Sequence, residues 1–179
     1  MNGLEQAERK IEEFLNSDEK FCFISGTHQF EKHKLVMKVL NNNMSNASKI
    51  LFRTNGMDMV HAHFKNLTTL IKTGVGYNFG NSYLFFDTLR SSTWNKTPHK
   101  IDYAIIYPID SFIKSKKVDD SIEDLLHRST QKIFIVSWTD LYDYSMLDKY
   151  NPLKVIYDAE EEDPEYNNRV LYTMSEIKK

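Results

Sequence analysis

The chain has 179 residues, of which 41% are hydrophobic and 27% charged, and its formal net charge is −2. This length fits one ordinary domain with a full core, and the near-neutral charge gives no overall attraction to nucleic acid. The single cysteine, Cys22, excludes a disulfide within the chain and suits a reducing compartment. The charged start and the lack of a run of roughly 20 apolar residues predict a cytoplasmic protein without a membrane partner.

Helices and strands alternate along the first half of the chain. Apolar residues at helical spacing predict a helix within residues 1–18, and a short apolar run predicts a buried strand from Phe21 to Ser25. A second helix is predicted over about 30–40 and a strand over 49–54. A third helix is predicted over about 58–72, and a hairpin over 74–87 with its turn near Gly80. The stripe of the third helix consists of Val60, Phe64, Leu67 and Ile71.

The second half continues the alternation after a polar loop at 90–100. Strands are predicted over 103–107 and 132–138. A helix is predicted between them, and Asp120 with Glu123 resembles a capping box at its start. A short helix over 141–147 and two late strands over 153–157 and 169–173 follow. An acidic run around Pro164 separates these strands, as a connecting loop or as a docking patch for a basic partner.

This order of elements predicts one domain over residues 1–179. Residues 1–18 form its N-terminal helix, and 150–179 contribute its C-terminal strands. Strands that alternate with helices are typical of parallel βαβ units. The predicted fold class is therefore α/β, a three-layer sandwich around a mostly parallel central sheet.

The junction after the first strand has the spacing of a phosphate-binding loop. That loop reads G-x-x-x-x-G-K-[ST] between a strand and a helix, and Gly26 and Lys32 occupy its first Gly and its Lys positions. Glu31 replaces the second Gly, and His33 replaces the hydroxyl residue that binds magnesium. Candidate phosphate contacts are the loop from Gly26 through Thr27 to Lys32 and His33, with ATP or GTP as the candidate ligand.

The segment from Ile101 to Asp110 resembles the Walker B strand of P-loop NTPases of the helicase and phage-terminase type. In that family an apolar strand ends in Asp-Glu, and here those two positions are Tyr107 and Pro108. The resemblance implies a P-loop NTPase-like fold resembling the first motor domain of these enzymes. It also assigns the strand end at Ser137 to the motif that senses the γ-phosphate. Asp110, two residues beyond the missing acids, is the one candidate for a catalytic role.

These departures predict that hydrolysis is lost or weak, because phosphoryl transfer depends on the metal that the missing groups would hold. We therefore expect a degenerate P-loop protein that binds another macromolecule, in the first place a protein. Two alternatives stay open. One is a nucleotide-binding protein with atypical NTPase activity, and the other is an accessory factor that binds nucleic acid.

Basic residues and histidines supply two further sets of candidates. The nucleic-acid alternative would use basic and aromatic residues at one edge of the sheet, namely Arg53, Arg90, Trp94 and Lys96. His61 and His63 lie two apart on the predicted third helix and would point to different faces as solvated positions. His28 and His33 flank the loop without the cysteines or acids that complete a zinc site, so no metal is predicted.

Overall fold

The computed structural model describes residues 2–178. Helices form at α1 (Leu4–Leu15), α2 (Lys32–Asn43), α3 (Val60–His63), α4 (Ile109–Lys114), α5 (Val118–Arg128) and α6 (Pro164–Ile177). Strands form at β1 (Phe21–Ser25), β2 (Lys49–Thr54), β3 (Tyr77–Phe79), β4 (Ser82–Thr88), β5 (Ile101–Ile106), β6 (Ser129–Val136) and β7 (Leu153–Ile156). No helix among these residues is long and apolar enough to cross a membrane.

The seven strands form one sheet in the order β3-β4-β2-β5-β6-β1-β7. Every neighbouring pair is parallel except the β3–β4 hairpin, whose turn contains Gly80 with a φ of 57°. Since parallel strands share one direction, the loops that follow β1, β2, β5 and β6 all lie at one edge of the sheet. Ligands bind at this carboxyl edge in open α/β sheets.

Helices cover both faces of the sheet, which makes the three layers. On one face, α1 and α2 contribute buried residues such as Ile11, Phe14 and Val36. On the other face, α4 and α5 contribute Phe112 and Ile122. The α/β class and the mostly parallel central sheet are confirmed, because the short apolar runs of the central strands are buried on both sides.

The predicted third helix is wrong over most of its length. A 3₁₀ turn at Met57–Met59 leads into the short helix α3, which ends at His63. Residues 64–76 are irregular. The segment contains Asn66, Thr68 and Thr69, which are weak helix formers. Ile71 is nevertheless buried, so the apolar stripe packs against the sheet without needing a helix.

Three smaller predictions are also corrected. Residues 169–173 lie within α6 and form no strand, so β7 is the last strand of the described chain. The helix of the second half begins at Val118, which places Asp120 inside its first turn. The predicted helix over 141–147 is replaced by a 3₁₀ turn at Ser145–Tyr150. In addition, a six-residue helix, α4, follows β5 and was not predicted.

Candidate functional site at the carboxyl edge of the sheet

The strand-loop-helix junction is present where the sequence predicts it. Gly26 follows β1 with a φ of 123°, and α2 begins at Lys32. A Cβ at Gly26 would collide with the main chain of Tyr157, so both the positive φ and the close approach require glycine there. The first Gly of the pattern therefore has a structural role here that does not depend on a bound phosphate.

Lys32 is fully buried, and its ammonium points back into its own loop. The Nζ donates to the carbonyl oxygens of Gly26 at 2.5 Å and Trp138 at 3.2 Å. The nearest Asp140 oxygen is 4.0 Å away. Burial lowers the pKa of Lys32 to about 8, against the opposing attraction of Asp140. The lysine predicted to contact phosphate thus holds two loops of its own chain together.

Two carboxylates of the same chain bind the amides of the loop. The Gly26 N–H donates to Asp140 Oδ2 at 2.5 Å, and the Thr27 N–H donates to Asp158 Oδ1 at 2.9 Å. The His28 N–H donates to the Tyr157 carbonyl oxygen at 3.2 Å. Amides at such a junction are suited to bind an anion. In this chain the anions are aspartates, and sequence reasoning missed both of them.

The acidic run after β7 folds back across the loop. Thr27 Oγ1 donates to Asn167 Oδ1 and accepts from the Ala159 N–H at 3.0 Å. The ring of His28 lies 3.0 Å from a carboxylate oxygen of Glu162. At the start of α6, Asp163 caps the helix by accepting from the Tyr166 N–H. Instead of forming a loop between two strands, this run connects β7 to α6 and covers the phosphate-loop position.

We expect Asp158→Ala to lower the free energy of unfolding by about 1–3 kcal/mol, because the buried Thr27 N–H would lose its acceptor. Asp158→Asn keeps an oxygen at the same place and should cost less. Urea denaturation of the two variants measures the difference. Equal stability of Asp158→Ala and the wild type would contradict the role assigned to this carboxylate.

The two positions that bind magnesium in the family hold a ring stack. The centroids of the His33 and Tyr107 rings lie 4.1 Å apart, and the angle between the ring planes is 20°. His33 Nε2 donates to the His63 carbonyl oxygen at 2.8 Å, and the Tyr107 hydroxyl donates to the Gln29 carbonyl oxygen at 3.1 Å. Magnesium prefers oxygen ligands, and a neutral ring stack provides no such set.

Burial keeps the histidines at this stack uncharged. It lowers the pKa of His33 to about 3 and that of His63 to about 4. His63 is buried, and its Nε2 lies 3.1 Å from Thr54 Oγ1. The prediction that His63 is a solvated helix position is therefore wrong, because α3 packs this face of the helix onto the sheet.

Asp110 anchors the loop that follows β6. It lies in the first turn of α4, and its carboxylate accepts from the N–H groups of Trp138 at 2.7 Å and Thr139 at 3.2 Å. The hydroxyls of Thr139 and Tyr144 add bonds of 2.9 and 3.0 Å. Ser137, at the end of β6, donates to Asp140. Asp110 thus holds the main chain of the loop after β6, and Ser137 bonds to the carboxylate that also accepts from the Gly26 N–H.

One member of the predicted nucleic-acid set, Arg53, does not reach the surface. Arg53 is fully buried, with bonds of 2.8 Å from Nε and from Nη2 to the two oxygens of Asp87. Its guanidinium lies 4.2 Å from the centre of the Trp94 ring. Arg90 and Lys96 are exposed. Arg53 is therefore part of an internal ion-pair network and not of an exposed basic edge, which is a correction to the prediction.

Fold and junction together define an α/β domain with a mostly parallel sheet and a strand-loop-helix junction after β1. Among solved structures, the chain is similar to the large terminase of a thermophilic bacteriophage, which was determined in complex with ADP. The TM-score is 0.51 at 10% identity, and the alignment covers 85% of this chain and 45% of the terminase chain. This likeness shows a distantly P-loop-like fold. No family model matches the sequence, and no curated protein matches it significantly.

Proposed function

We propose that this chain is a degenerate P-loop domain that works as a macromolecular binding module, binds no nucleotide at its loop and does not hydrolyse ATP or GTP. The observation that carries the proposal is the bonding of the loop amides and Lys32 to groups of the same chain. A nucleotide phosphate would have to displace Asp140 and Asp158 or approach them closely. Like charges about 4 Å apart repel by roughly 4 kcal/mol at an effective dielectric constant near 20.

The chemistry of the remaining candidates supports binding over catalysis. The ring stack of His33 and Tyr107 replaces the metal ligands, and Asp110 uses its carboxylate to hold the loop after β6. Burial of Arg53 removes one of the three cations that the nucleic-acid alternative would use. A protein partner in the reducing interior of a cell is therefore the proposed context.

The test is a thermal-shift measurement with ATP or GTP and magnesium. A nucleotide at about 100 times its dissociation constant stabilises a protein by about 2.7 kcal/mol. For a chain of this length that corresponds to a rise of roughly 5–10 °C in melting temperature. We expect no rise at millimolar nucleotide.

A variant at the loop makes the outcome specific. Lys32→Met removes the ammonium and keeps a long apolar side chain in the same buried space. A rise in the wild type that disappears in Lys32→Met would overturn the proposal in favour of nucleotide binding at the loop. A rise that persists in Lys32→Met would place nucleotide elsewhere, and would equally contradict a domain without a nucleotide ligand.

A further inference from the structure

Three large apolar side chains are exposed at the carboxyl edge of the sheet. Phe30 follows β1, Met59 follows β2 and Trp138 follows β6, with exposed fractions of 47%, 36% and 39%. The Phe30 and Trp138 rings meet edge to face, with centroids 6.1 Å apart. We call these three residues the edge patch. Aromatic residues and methionine are enriched in protein interfaces, and clustered exposure marks binding surfaces.

The three residues of the edge patch contribute to the lining of a cavity of about 100 Å³. His33, Tyr107 and Pro108 contribute to its lining, so the ring stack at the family's metal position forms part of its wall. An apolar cavity of roughly 150 Å³ holds benzene. A smaller cavity suits the side chain of Leu, Ile or Met better than a large aromatic ring.

The main chain beneath the patch is held firmly. The Trp138 N–H donates to Asp110, and the Trp138 carbonyl oxygen accepts from Lys32. A rigid aromatic anchor loses little conformational entropy on binding, as binding hot spots require. The buried polar groups of the phosphate-loop arrangement therefore position the patch.

The charges around the patch are predominantly acidic. Glu31 adjoins Phe30, Asp58 adjoins Met59, and Asp110 and Asp140 lie beside Trp138. The nearby cations are Lys32, which bonds to main-chain carbonyl oxygens, Lys34, which pairs with Glu31, and Arg90, which lines a hollow together with Asp58. The excess of negative charge therefore comes from Asp110 and Asp140, which outnumber the single ammonium of Lys32. This balance repels phosphates and attracts basic groups.

From these observations we propose that the edge patch docks an extended segment of a protein partner. The segment inserts one aliphatic side chain into the cavity and carries basic residues on both sides of it. The inference rests on the proposed role as a binding module, and it names the surface and the kind of partner.

The experiment records ¹H–¹⁵N spectra of the whole chain during titration with short capped peptides. The first probe is Lys-Gly-Leu-Gly-Lys, the second replaces both Lys by Glu, and the third replaces Leu by Ala. We expect the first peptide to shift the Trp138 indole N–H and the Phe30 and Met59 amides. Its affinity should exceed that of the Ala peptide about tenfold, as expected for burying a leucine side chain. The affinity of the first peptide should also exceed the affinity of the Glu peptide about threefold at low salt.

Two variants serve as controls. Ala62 lines the cavity, so Ala62→Leu should fill it and weaken the Leu peptide about tenfold. Leu126→Ala removes an exposed apolar side chain from α5, near the opposite edge of the sheet, and should change nothing. The dispersion of the same spectra shows that each variant is folded.

Three results would overturn the inference. They are no shift at Trp138, equal affinity for the Leu and Ala peptides, or tighter binding of an oligothymidylate than of the basic peptide. These failures are distinct from a failure of the proposed function, because they are measured as peptide binding at the edge patch, whereas the proposed function fails on a nucleotide-dependent rise in melting temperature.

Discussion

Asp87→Ala is expected to lower the free energy of unfolding by about 3 kcal/mol, the lower end of the cost of removing one partner of a buried ion pair, because Arg53 keeps the partly exposed Asp124 as its other charged partner. Asp87 and Arg53 are both fully buried, and two hydrogen bonds of 2.8 Å join them. The change would leave the guanidinium with Asp124 at 2.7 Å and the Ser121 carbonyl oxygen at 3.2 Å. Urea denaturation with linear extrapolation measures the loss.

A surface pair supplies the matched control. Asp148 contacts Lys154 at 2.8 Å, and more than half of each side chain is exposed. Asp148→Ala should cost no more than about 1 kcal/mol, since exposed ion pairs contribute little. If both aspartate variants lost the same small amount, the Arg53 network would not be the structural element described above.

The second large effect is a loss of stability on acidification from pH 7 to pH 5. The pKa values of His33 and His63 are about 3 and 4 in the folded chain, below the ordinary value of 6.5. As the pH falls below about 6.5, these histidines bind protons in the unfolded chain but not in the folded chain, so the folded state is destabilised. Each histidine should therefore cost about 2 kcal/mol at pH 5, at about 1.36 kcal/mol per pH unit.

A histidine variant separates this effect from the titration of carboxylates. His33→Phe keeps a ring on Tyr107 but cannot bind a proton, so it should lose about 2 kcal/mol less between pH 7 and pH 5 than the wild type. Identical pH profiles of stability for wild type and His33→Phe would contradict the inference that His33 is buried in its neutral form. Denaturation midpoints across this range provide the measurement.

Local sequence patterns predicted most of the fold. The runs at β1, β2, β5 and β6 are short and apolar, which specifies strands buried on both faces wherever they pair. Helix α1 was predictable because Ala7, Ile11 and Phe14 share one face. The helix prediction failed over residues 64–72. An apolar stripe indicates only that its members are buried, and an irregular segment packed on the sheet buries them as well as a helix does.

The candidate site was predictable only in part. Gly26, Lys32, His33 and Tyr107 were identified from spacing, and the structure brings all four to the carboxyl edge. The groups that bond to the loop were missed, because Asp140 and Asp158 follow Gly26 and Thr27 by 114 and 131 positions. The available signal for both aspartates was the position of a carboxylate a few residues after the end of a predicted strand.

By itself the sequence determined the α/β class, the position of the loop and the absence of the family's Asp-Glu pair, since these depend on residue types and short spacings. Only the tertiary structure decided what the loop binds and which cations reach solvent. Burial and hydrogen bonding depend on pairing between distant segments: Asp140 and Asp158 reach the loop only because β6 and β7 flank β1 in the sheet. In the same way Arg53 is enclosed because α5 packs beside the strand that carries it.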